Sequence, residues 1–319
     1  MPSAEFELIA RIRDRARRLQ RADVVLDIGD DAALLQLSPG MQLVVAMDTL
    51  NTGVHFPADT APADIGWKAL AVNLSDLAAM GALPAWCTLS LSLPSADADF
   101  VDAFLDGFLA LAATHEVALV GGDTTRGPLS VCVAAHGVIE PGLALRRDGA
   151  QVGDDVWVSG TLGDAAGALA QWKSGSGIVP SLRTRLDRPS PRVALGRALR
   201  GIAHACIDVS DGLLADLGHV CAASGVAAQV DIEGLPASEG LRDGFGIDQR
   251  RLLQATGGDD YELCFSAAPD ARDAVLAAAL AGRVAVTRIG RVTSGSGVSA
   301  RDAGGSEWSA PAAGWVHFD

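Results

Sequence analysis

The sequence predicts a two-domain protein of the α/β (α+β) class, with strands and helices mixed along the chain. Its 319 residues are enough for two domains of the usual size, each with its own core. In both halves, helical spacing of apolar residues alternates with short apolar runs that are typical of strands. A break at residues 146–149 precedes a new strand and turn. The predicted domains are therefore residues 1–147 and 148–319.

Apolar periodicity predicts the elements of the first half. The strand at 43–47 is continuously apolar and is expected to deliver Asp48 at its C-terminal end. The helix at 63–80 places Asn73 and Asp76 one turn apart on a common face. In chain order, this half is predicted to contain an amphipathic helix with Phe6, Ile9, Ile12, Ala16 and Leu19, a strand at 43–47, helices at 63–80 and 100–112, and strands at 117–120, ending before Gly121, and at 129–139.

The second half is also predicted to alternate strands and helices. Residues 208–212 open a helix that runs to Gly225, and Ser210 or Asp211 is its expected N-cap. Residues 173–191 are rich in Ser, Gly and Pro and are predicted to form a loop. The remaining predicted elements are a strand and turn at 153–160, strands at 227–232, 262–266 and 287–293, and an alanine-rich helix between the last two.

Composition limits the classes of partner. The chain is 49% hydrophobic and 20% charged with a formal net charge of -14, which favours cations over polyanions and argues against a nucleic-acid surface. No apolar run approaches the roughly 20 residues of a membrane span, and no hydrophobic signal-peptide region is visible. A cytoplasmic protein without a membrane partner is expected. The five cysteines lack paired spacing and are expected to be buried, reduced thiols.

Six short stretches place one or two aspartates beside glycine, serine or threonine. Carboxylates at tight turns suit hard cations, and glycine lets a metal or a phosphate approach the backbone closely. Adjacent aspartates repel each other unless a cation binds, so the doublets Asp30–Asp31 and Asp259–Asp260 are the leading candidates. Any one stretch could be a turn or a helix cap, but together they predict a phosphate-handling site with several magnesium ions. The six are Gly29–Asp31, Met47–Thr49, Asn73–Asp76, Gly121–Thr125, Asp208–Gly212 and Gly257–Asp260.

Absent motifs narrow the design of that site. Lys68 and Lys173 are the only lysines, and neither lies in a P-loop, so a P-loop kinase is excluded and metal is expected to neutralise the phosphates. No G-x-G-x-x-G opens a helix after a strand, and no calcium-binding loop is present. Among the histidines, His55 is the candidate, because it follows the Asp48 turn.

These motifs together resemble the thiamine-monophosphate kinases. The resemblance covers nearly the whole chain in the family's order, and the set is specific although each piece alone is not. The family belongs to an ATP-dependent superfamily with aminoimidazole-ribonucleotide synthetase, selenophosphate synthetase and a hydrogenase maturation factor. The stretches that carry it are Ile28–Ala33, Asp48–Leu50, Gly53–Phe56, Asn73–Gly81, Gly121–Gly127, Asp208–Leu213, Asp260–Leu263 and Gly314–Phe318.

The resemblance implies the two-domain fold of the aminoimidazole-ribonucleotide synthetase type. An N-terminal domain binds ATP and magnesium and pairs through its mixed sheet in a homodimer, and a C-terminal α/β domain completes the active site. The implied magnesium ligands are Asp30, Asp48, Asp76, Asp123 and Asp208, with Asp211 for a further ion. The implied ATP contacts are Gly122, Asp123, Arg147 and Ser210, and the implied thiamine monophosphate contacts are His55, Asp259 and Trp315, whose ring suits stacking on a heterocycle.

Two positions depart from the family pattern. Ala46 and Met47 stand where hydroxyl residues are usual, so Met47 is expected to bind magnesium through its backbone carbonyl. Asp259 stands where glutamate is usual, and its shorter side chain reaches less far toward the substrate.

The implied activity is direct, in-line transfer of the ATP γ-phosphate to thiamine monophosphate, the last step of thiamine diphosphate synthesis. The acceptor is itself a phosphate with a second pKa of about 6, so no strong general base is required. Repulsion between two anions is the obstacle, and magnesium held by aspartates would screen it. The alternatives are another ATP-dependent member of the superfamily, a two-metal phosphohydrolase, and a catalytically silent dimer stabilised by magnesium.

Overall fold

The computed structural model describes residues 4–19, 21–175 and 177–315, with side chains from residue 7 onward. The chain forms two compact units. Unit 1 runs to Leu77 and resumes over Ala82–Gly142, and unit 2 comprises Ala78–Gly81 and the chain from Leu143. The bounds 1–147 and 148–319, and the roles assigned to these two domains, stay predictions.

Unit 1 is built on a mixed sheet. Its elements are α1 (Ala4–Ala16), β1 (Val24–Leu26), β2 (Leu34–Leu35), β3 (Gln42–Asn51), α2 (Pro62–Ala79), β4 (Leu83–Leu93), α3 (Ala98–Thr114), β5 (Ala118–Arg126) and β6 (Ser130–Ile139). The four-stranded sheet has the order β3-β6-β4-β5, with β4 parallel to β5 and the other pairs antiparallel. β1 and β2 form a separate antiparallel pair. The helices predicted at 63–80 and 100–112 and the strand at 129–139 are confirmed as α2, α3 and β6.

Helix α2 packs closely against α3 and against the sheet of unit 1. α2 crosses α3 in backbone contact, since a Cβ at Gly107 would lie 1.7 Å from the carbonyl oxygen of Ala63, and only glycine permits this approach. On the sheet, Leu77 of α2 packs against Gly137 of β6. Gly137 pairs with Val44 of β3, so α2 covers the face of the sheet that also carries Asp48.

Two strands of unit 1 are longer than the sequence predicts. β3 continues past Asp48 to Asn51, because all of its residues pair with β6. β5 continues through Gly121 and Asp123 to Arg126, because it pairs in parallel with β4. Asp48 and Asp123 therefore lie within strands and not at their ends. The end of an apolar run does not mark the end of a strand, because backbone pairing continues through polar residues.

Unit 2 is built on a larger sheet. Its elements are β7 (Asp155–Ser159), α4 (Asp164–Ser174), α5 (Pro180–Asp187), α6 (Val193–Ala198), β8 (Ala203–Asp208), α7 (Leu213–Ser224), β9 (Ala227–Asp231), α8 (Glu239–Gly244), α9 (Ile247–Thr256), β10 (Leu263–Ala267), α10 (Arg272–Gly282), β11 (Val286–Thr293), β12 (Gly297–Arg301) and β13 (Glu307–Trp308). The strand order is β13-β12-β9-β11-β7-β10-β8, antiparallel except for β9 and β12. The strands predicted at 227–232, 262–266 and 287–293 are β9, β10 and β11.

The loop predicted at 173–191 is wrong in its second half, where α5 lies. Pro180 occupies the first turn of α5, where its missing N–H has no helical partner to lose. Leu182 and Leu186 lie one turn apart and are buried in a cluster with Ala165 and Ala168 of α4. The two leucines anchor the helix. Their spacing is a helical signal, but the high Ser, Gly and Pro content of the segment led to the prediction of a loop.

The cysteines are not paired in disulfides. All five are free thiols, four of them buried and Cys132 half-buried. Burial raises the pKa of the Cys221 thiol, which favours its protonated form. Among the residues with described structure, no helix is long and apolar enough to cross a membrane.

Candidate functional site

Asp48 and Asp76 form a carboxylate pair in unit 1. The Asp48 carboxyl is hydrogen-bonded to Asp76 of α2, and its backbone N–H donates to Oδ1 of Asn73 at 3.1 Å. Burial raises the pKa of Asp48, and the hydrogen bond with Asp76 opposes this shift. Two carboxylates this close repel each other when both are ionised, unless a cation lies between them. The predicted common face of Asn73 and Asp76 therefore meets Asp48, and hard oxygen donors are the set that magnesium prefers.

Met47 precedes Asp48 in the sequence, but its side chain points to the other face of the sheet. Successive side chains of a strand point to opposite faces, and the Met47 side chain is 68% exposed on the face opposite Asp48. Binding of magnesium by its backbone carbonyl stays a prediction.

The strand register separates Asp123 from the carboxylate pair. Asp123 is in register with Ser90 of β4, which pairs with Cys132 of β6 and so aligns with Thr49 of β3. Cross-strand partners point to the same face, so Asp123 lies on the face opposite Asp48. Within unit 1, the sheet does not bring Asp123 beside the Asp48–Asp76 pair.

Gly122 is explained by strand packing. Its φ of 148° belongs to the region that favours glycine, and a Cβ would lie 1.9 Å from the carbonyl oxygen of Leu89. The close approach of β4 therefore explains why this position requires glycine. The sequence argument, that glycine leaves room for a phosphate, is not required to explain it. Contact of Gly122 with ATP stays a prediction.

Asp30 and Asp31 lie in an exposed turn. Gly29 precedes them with a φ of 140°, and the backbone N–H of Asp31 donates to Oδ1 of Asp30 at 2.8 Å. The hydrogen bond is local and leaves the doublet on the surface.

His55 is held by two parts of unit 1. Its Nδ1 accepts the backbone N–H of Asn51 at 2.9 Å, and its carbonyl accepts from Nζ of Lys68 at 2.9 Å. Lys68 is only 1% exposed and lies in the middle of α2. The sequence argument used this lysine only to exclude a P-loop, so it missed the contact. The available signal was a lysine among apolar residues of a helix that also carries Asn73 and Asp76.

In unit 2, the loop that follows Asp208 is organised by Asp216. Oδ2 of Asp216 accepts the backbone N–H groups of Ser210, Asp211 and Gly212 at 3.0, 3.1 and 3.1 Å. The predicted cap is therefore wrong: Gly212 is the N-cap of α7, without a side-chain hydrogen bond, and the carboxylate comes from inside the helix. Burial raises the pKa of Asp216 to about 7, and the charges of Asp208 and Asp211 contribute.

Asp216→Ala is expected to lower the free energy of unfolding by about 1–3 kcal/mol, because three backbone N–H groups lose their acceptor. Asp216→Asn keeps a side-chain oxygen at the same place and is expected to stay close to the wild type. Urea denaturation followed by circular dichroism distinguishes the two variants. Equal stability of the alanine variant and the wild type would contradict this role.

Asp259 lies against the same loop. Its backbone N–H donates to the carbonyl of Ser210 at 2.8 Å, and its Oδ1 accepts from Oη of Tyr261 at 2.9 Å. Both Asp259 and Tyr261 have positive φ, 67° and 50°, a conformation that residues with side chains adopt at a cost. The structure therefore brings together two predicted site residues, Ser210 and Asp259, in a strained segment.

Asp260 has a different role from its neighbour. It is buried, and both of its carboxylate oxygens accept the backbone N–H of Gly163, which precedes α4, at 2.9–3.0 Å. The argument that the doublet needs a cation is therefore wrong for Asp260, whose carboxylate caps a helix.

Trp315 contacts the loop of residues 210–212. The backbone of Arg147 lies instead at the other end of α7. The backbone N–H of Trp315 donates to the Asp211 carbonyl at 2.9 Å, and its side chain is 53% exposed. The rest of that motif, 316–318, lies outside the described residues. The carbonyl of Arg147 accepts from Oγ of Ser224 at the C-terminal end of α7, a helix about 18 Å long. Ser210 precedes the other end.

No group of three or more His, Cys, Asp or Glu side chains that could hold a metal ion occurs within the described part of the chain. Magnesium is compatible with fewer protein ligands, because it usually keeps several waters and binds through one or two carboxylates together with substrate phosphates. The Asp48–Asp76 pair fits this pattern.

Comparison with known proteins defines the class first. The family model "AIR synthase related protein, N-terminal domain" matches residues 29–139, and the model of the C-terminal domain matches residues 151–303. The fold is shared with the hydrogenase maturation protein HypE in complex with ATP, at a TM-score of 0.78 and 21% identity, covering 94% of this chain and 92% of that one. The chain is therefore a two-domain protein of the AIR synthase-related class.

Closer relatives define the family. Thiamine-monophosphate kinase of Salmonella typhimurium is 48% identical over 271 residues, covering 83% of each chain, and that of Caulobacter vibrioides is 41% identical over 99% of this chain and 91% of its own. The crystal structure of the Stenotrophomonas maltophilia enzyme is 60% identical with a TM-score of 0.87, covering 92% of this chain and 95% of that one. AaThiL complexed with AMPPCP and TMP is 32% identical with a TM-score of 0.77, covering 98% and 97%. The chain belongs to the thiamine-monophosphate kinase family.

Proposed function

We propose that this chain transfers the γ-phosphate of ATP to thiamine monophosphate, forming thiamine diphosphate and ADP. The observation that carries the proposal is the Asp48–Asp76 carboxylate pair, held by α2, in a member of this family. The relative AaThiL, complexed with AMPPCP and TMP, supports the choice of both substrates.

The chemistry requires positioning and charge neutralisation. An oxygen of the acceptor phosphate forms a bond to the γ-phosphorus while the bond from that phosphorus to the bridging oxygen of ADP breaks. The acceptor is largely dianionic at neutral pH, so no side chain has to remove a proton. Bound magnesium supplies neutralisation of the phosphates and alignment of the reacting oxygen.

The residue roles follow the family pattern. Several magnesium ions are proposed to bind, and their proposed ligands are Asp30, Asp48, Asp76, Asp123, Asp208, Asp211 and the Met47 carbonyl. Gly122, Asp123, Arg147 and Ser210 are proposed to contact ATP. His55, Asp259 and Trp315 are proposed to contact thiamine monophosphate, and the exposed Trp315 ring is suited to stacking on its heterocycle.

The test is product formation from ATP, magnesium and thiamine monophosphate, with thiamine diphosphate and ADP measured together. Equal amounts of both products are expected. ADP and free phosphate without thiamine diphosphate would instead support a two-metal phosphohydrolase, and turnover only with an aminoimidazole-ribonucleotide precursor would support another member of the superfamily. Absence of any turnover in magnesium would support the catalytically silent, magnesium-stabilised dimer.

A homodimer that pairs through the unit 1 sheet is part of the proposal. Leu43, Val45 and Met47 alternate along β3, one of the two edge strands of the sheet, and are 50%, 58% and 68% exposed on the face opposite α2. A second copy of this chain would cover this apolar row. Residence in the cytoplasm also stays a prediction.

Val45→Lys is expected to dissociate the dimer, because it places a charge in the middle of the apolar row. Sedimentation equilibrium measures the change in mass. Leu280→Lys, on α10 of unit 2 and at an 82% exposed position, is the matched control and should leave the mass unchanged. A Val45→Lys protein that stays dimeric would exclude this face as the interface.

A further inference from the structure

One helix contacts both the carboxylate pair and the turn that carries His55. Along α2, Asp76 is hydrogen-bonded to Asp48, Asn73 accepts the backbone N–H of Asp48, and Lys68 donates to the His55 carbonyl. Lys68 and Asp76 are about 12 Å apart along the helix axis. The spacing between the predicted magnesium ligands and the predicted substrate residue is therefore set by a single rigid element.

The burial of Lys68 indicates a specific role. Lysine is almost never fully buried unless its ammonium group is paired, because desolvation of the charge is costly. Lys68 is 1% exposed, and its Nζ lies 2.9 Å from the His55 carbonyl oxygen. A methionine or leucine would fill the same space without this cost, so packing alone does not account for lysine at this position.

The hydrogen bonds of the turn determine the tautomer of His55. The backbone N–H of His55 donates to the Asn51 carbonyl at 3.0 Å, and the backbone N–H of Asn51 donates to Nδ1 of His55 at 2.9 Å. A backbone N–H can only donate, so Nδ1 is an acceptor and carries no proton. In the neutral ring the hydrogen is then on Nε2, where it can be donated to an anionic oxygen.

We propose that Lys68 is a positioning residue for the phosphate of thiamine monophosphate. By holding the His55 carbonyl, it keeps the turn of residues 51–55 closed, so that Nδ1 of His55 stays occupied by Asn51 and Nε2–H is presented as a donor. The inference rests on the proposed function, because it assigns a purpose to the orientation of His55. Lys68 acts through His55 and the backbone, and it does not touch the reacting atoms.

Lys68→Met is expected to raise KM for thiamine monophosphate about tenfold, with kcat within about threefold of the wild type and KM for ATP unchanged. Lys173→Met, which replaces the only other lysine of the chain, is exposed and is the matched control, with no expected change. Lys68→Gln keeps an N–H donor and more polarity in the buried site. Lys68→Gln is expected to give a smaller rise in KM for thiamine monophosphate. If Lys68→Met does not fold, the same measurement is made with Lys68→Gln. Equal losses for both substrates, or a fall in kcat with unchanged KM, would overturn the proposal.

A second measurement requires no turnover. In protein labelled with ¹⁵N-histidine, the His55 signal, assigned by its loss in His55→Gln, is expected to report the Nε2–H tautomer in the wild type. Lys68→Met or Lys68→Gln is expected to mix in the Nδ1–H tautomer, and Lys173→Met is not. A wild-type ring with its hydrogen on Nδ1, or an unchanged tautomer in both Lys68 variants, would overturn the proposal. Lack of thiamine diphosphate formation by the wild type would contradict the proposed function while leaving this readout intact.

Discussion

Asp76→Asn is expected to lower kcat at least about 100-fold, the loss of roughly 3 kcal/mol of transition-state stabilisation, and to leave the fold intact. The amide has nearly the shape of the carboxylate but lacks its charge, so a magnesium ion bound at the Asp48–Asp76 pair would lose one of the two carboxylates. Without magnesium, the variant should unfold at the same temperature as the wild type or higher, because the repulsion between Asp48 and Asp76 is removed.

Thermal unfolding with and without magnesium separates a ligand role from a structural one. The wild type should be stabilised by magnesium, since an ion that binds only the folded state raises its stability, and Asp76→Asn should show little of this increase. Asp99→Asn removes one charge from an exposed position of α3 and is the control, with normal activity and a normal magnesium response. A variant at position 76 that is unfolded would mean that Asp76 is structural.

Glu262→Ala is expected to lower the free energy of unfolding by about 3–5 kcal/mol, the range for removing one partner of a buried ion pair. Glu262 is fully buried in unit 2, and its carboxylate accepts from Nη2 of Arg185 at 2.7 Å, from Nε of Arg192 at 2.6 Å and from the hydroxyl of Ser159. Without Glu262, two guanidinium groups would face each other with their shared acceptor removed. Arg185 also donates to the Asp260 carbonyl at 3.3 Å, so the disturbance reaches the segment that carries Asp259.

Urea denaturation of three variants tests this role. Glu262→Gln keeps the size and an acceptor oxygen and should lose less stability than Glu262→Ala. Asp248→Ala removes a 93% exposed partner of Arg251 and should have no measurable effect, because solvent screens exposed pairs. A Glu262→Ala protein as stable as Asp248→Ala would show that the buried network does not stabilise the fold.

The local features of this protein could be predicted from the sequence. Apolar spacing located α2 and α3 and placed Asn73 and Asp76 on one face, because helical periodicity depends only on neighbours along the chain. The family motifs, each a short run of residues, indicated the class of chemistry. The near absence of lysine excluded a P-loop, which is a statement about composition that needs no fold.

Tertiary structure alone decided which face and which partner each side chain has. Asp48 meets Asp76 while Asp123 lies on the opposite face, because strand register, not the sequence around each aspartate, sets the side of the sheet. The acidic neighbours Asp259 and Asp260 differ because one approaches the Ser210 loop and the other caps α4.

Asp216 and Lys68 show the same limit. Each is an ordinary residue of a helix when read along the chain, and each gains its role from backbone groups outside that helix or just before it. The sequence by itself determined many of the elements, the family and the kind of chemistry. The folded chain decided how these residues are arranged, since hydrogen bonds and burial between distant segments have no periodic signal in the sequence.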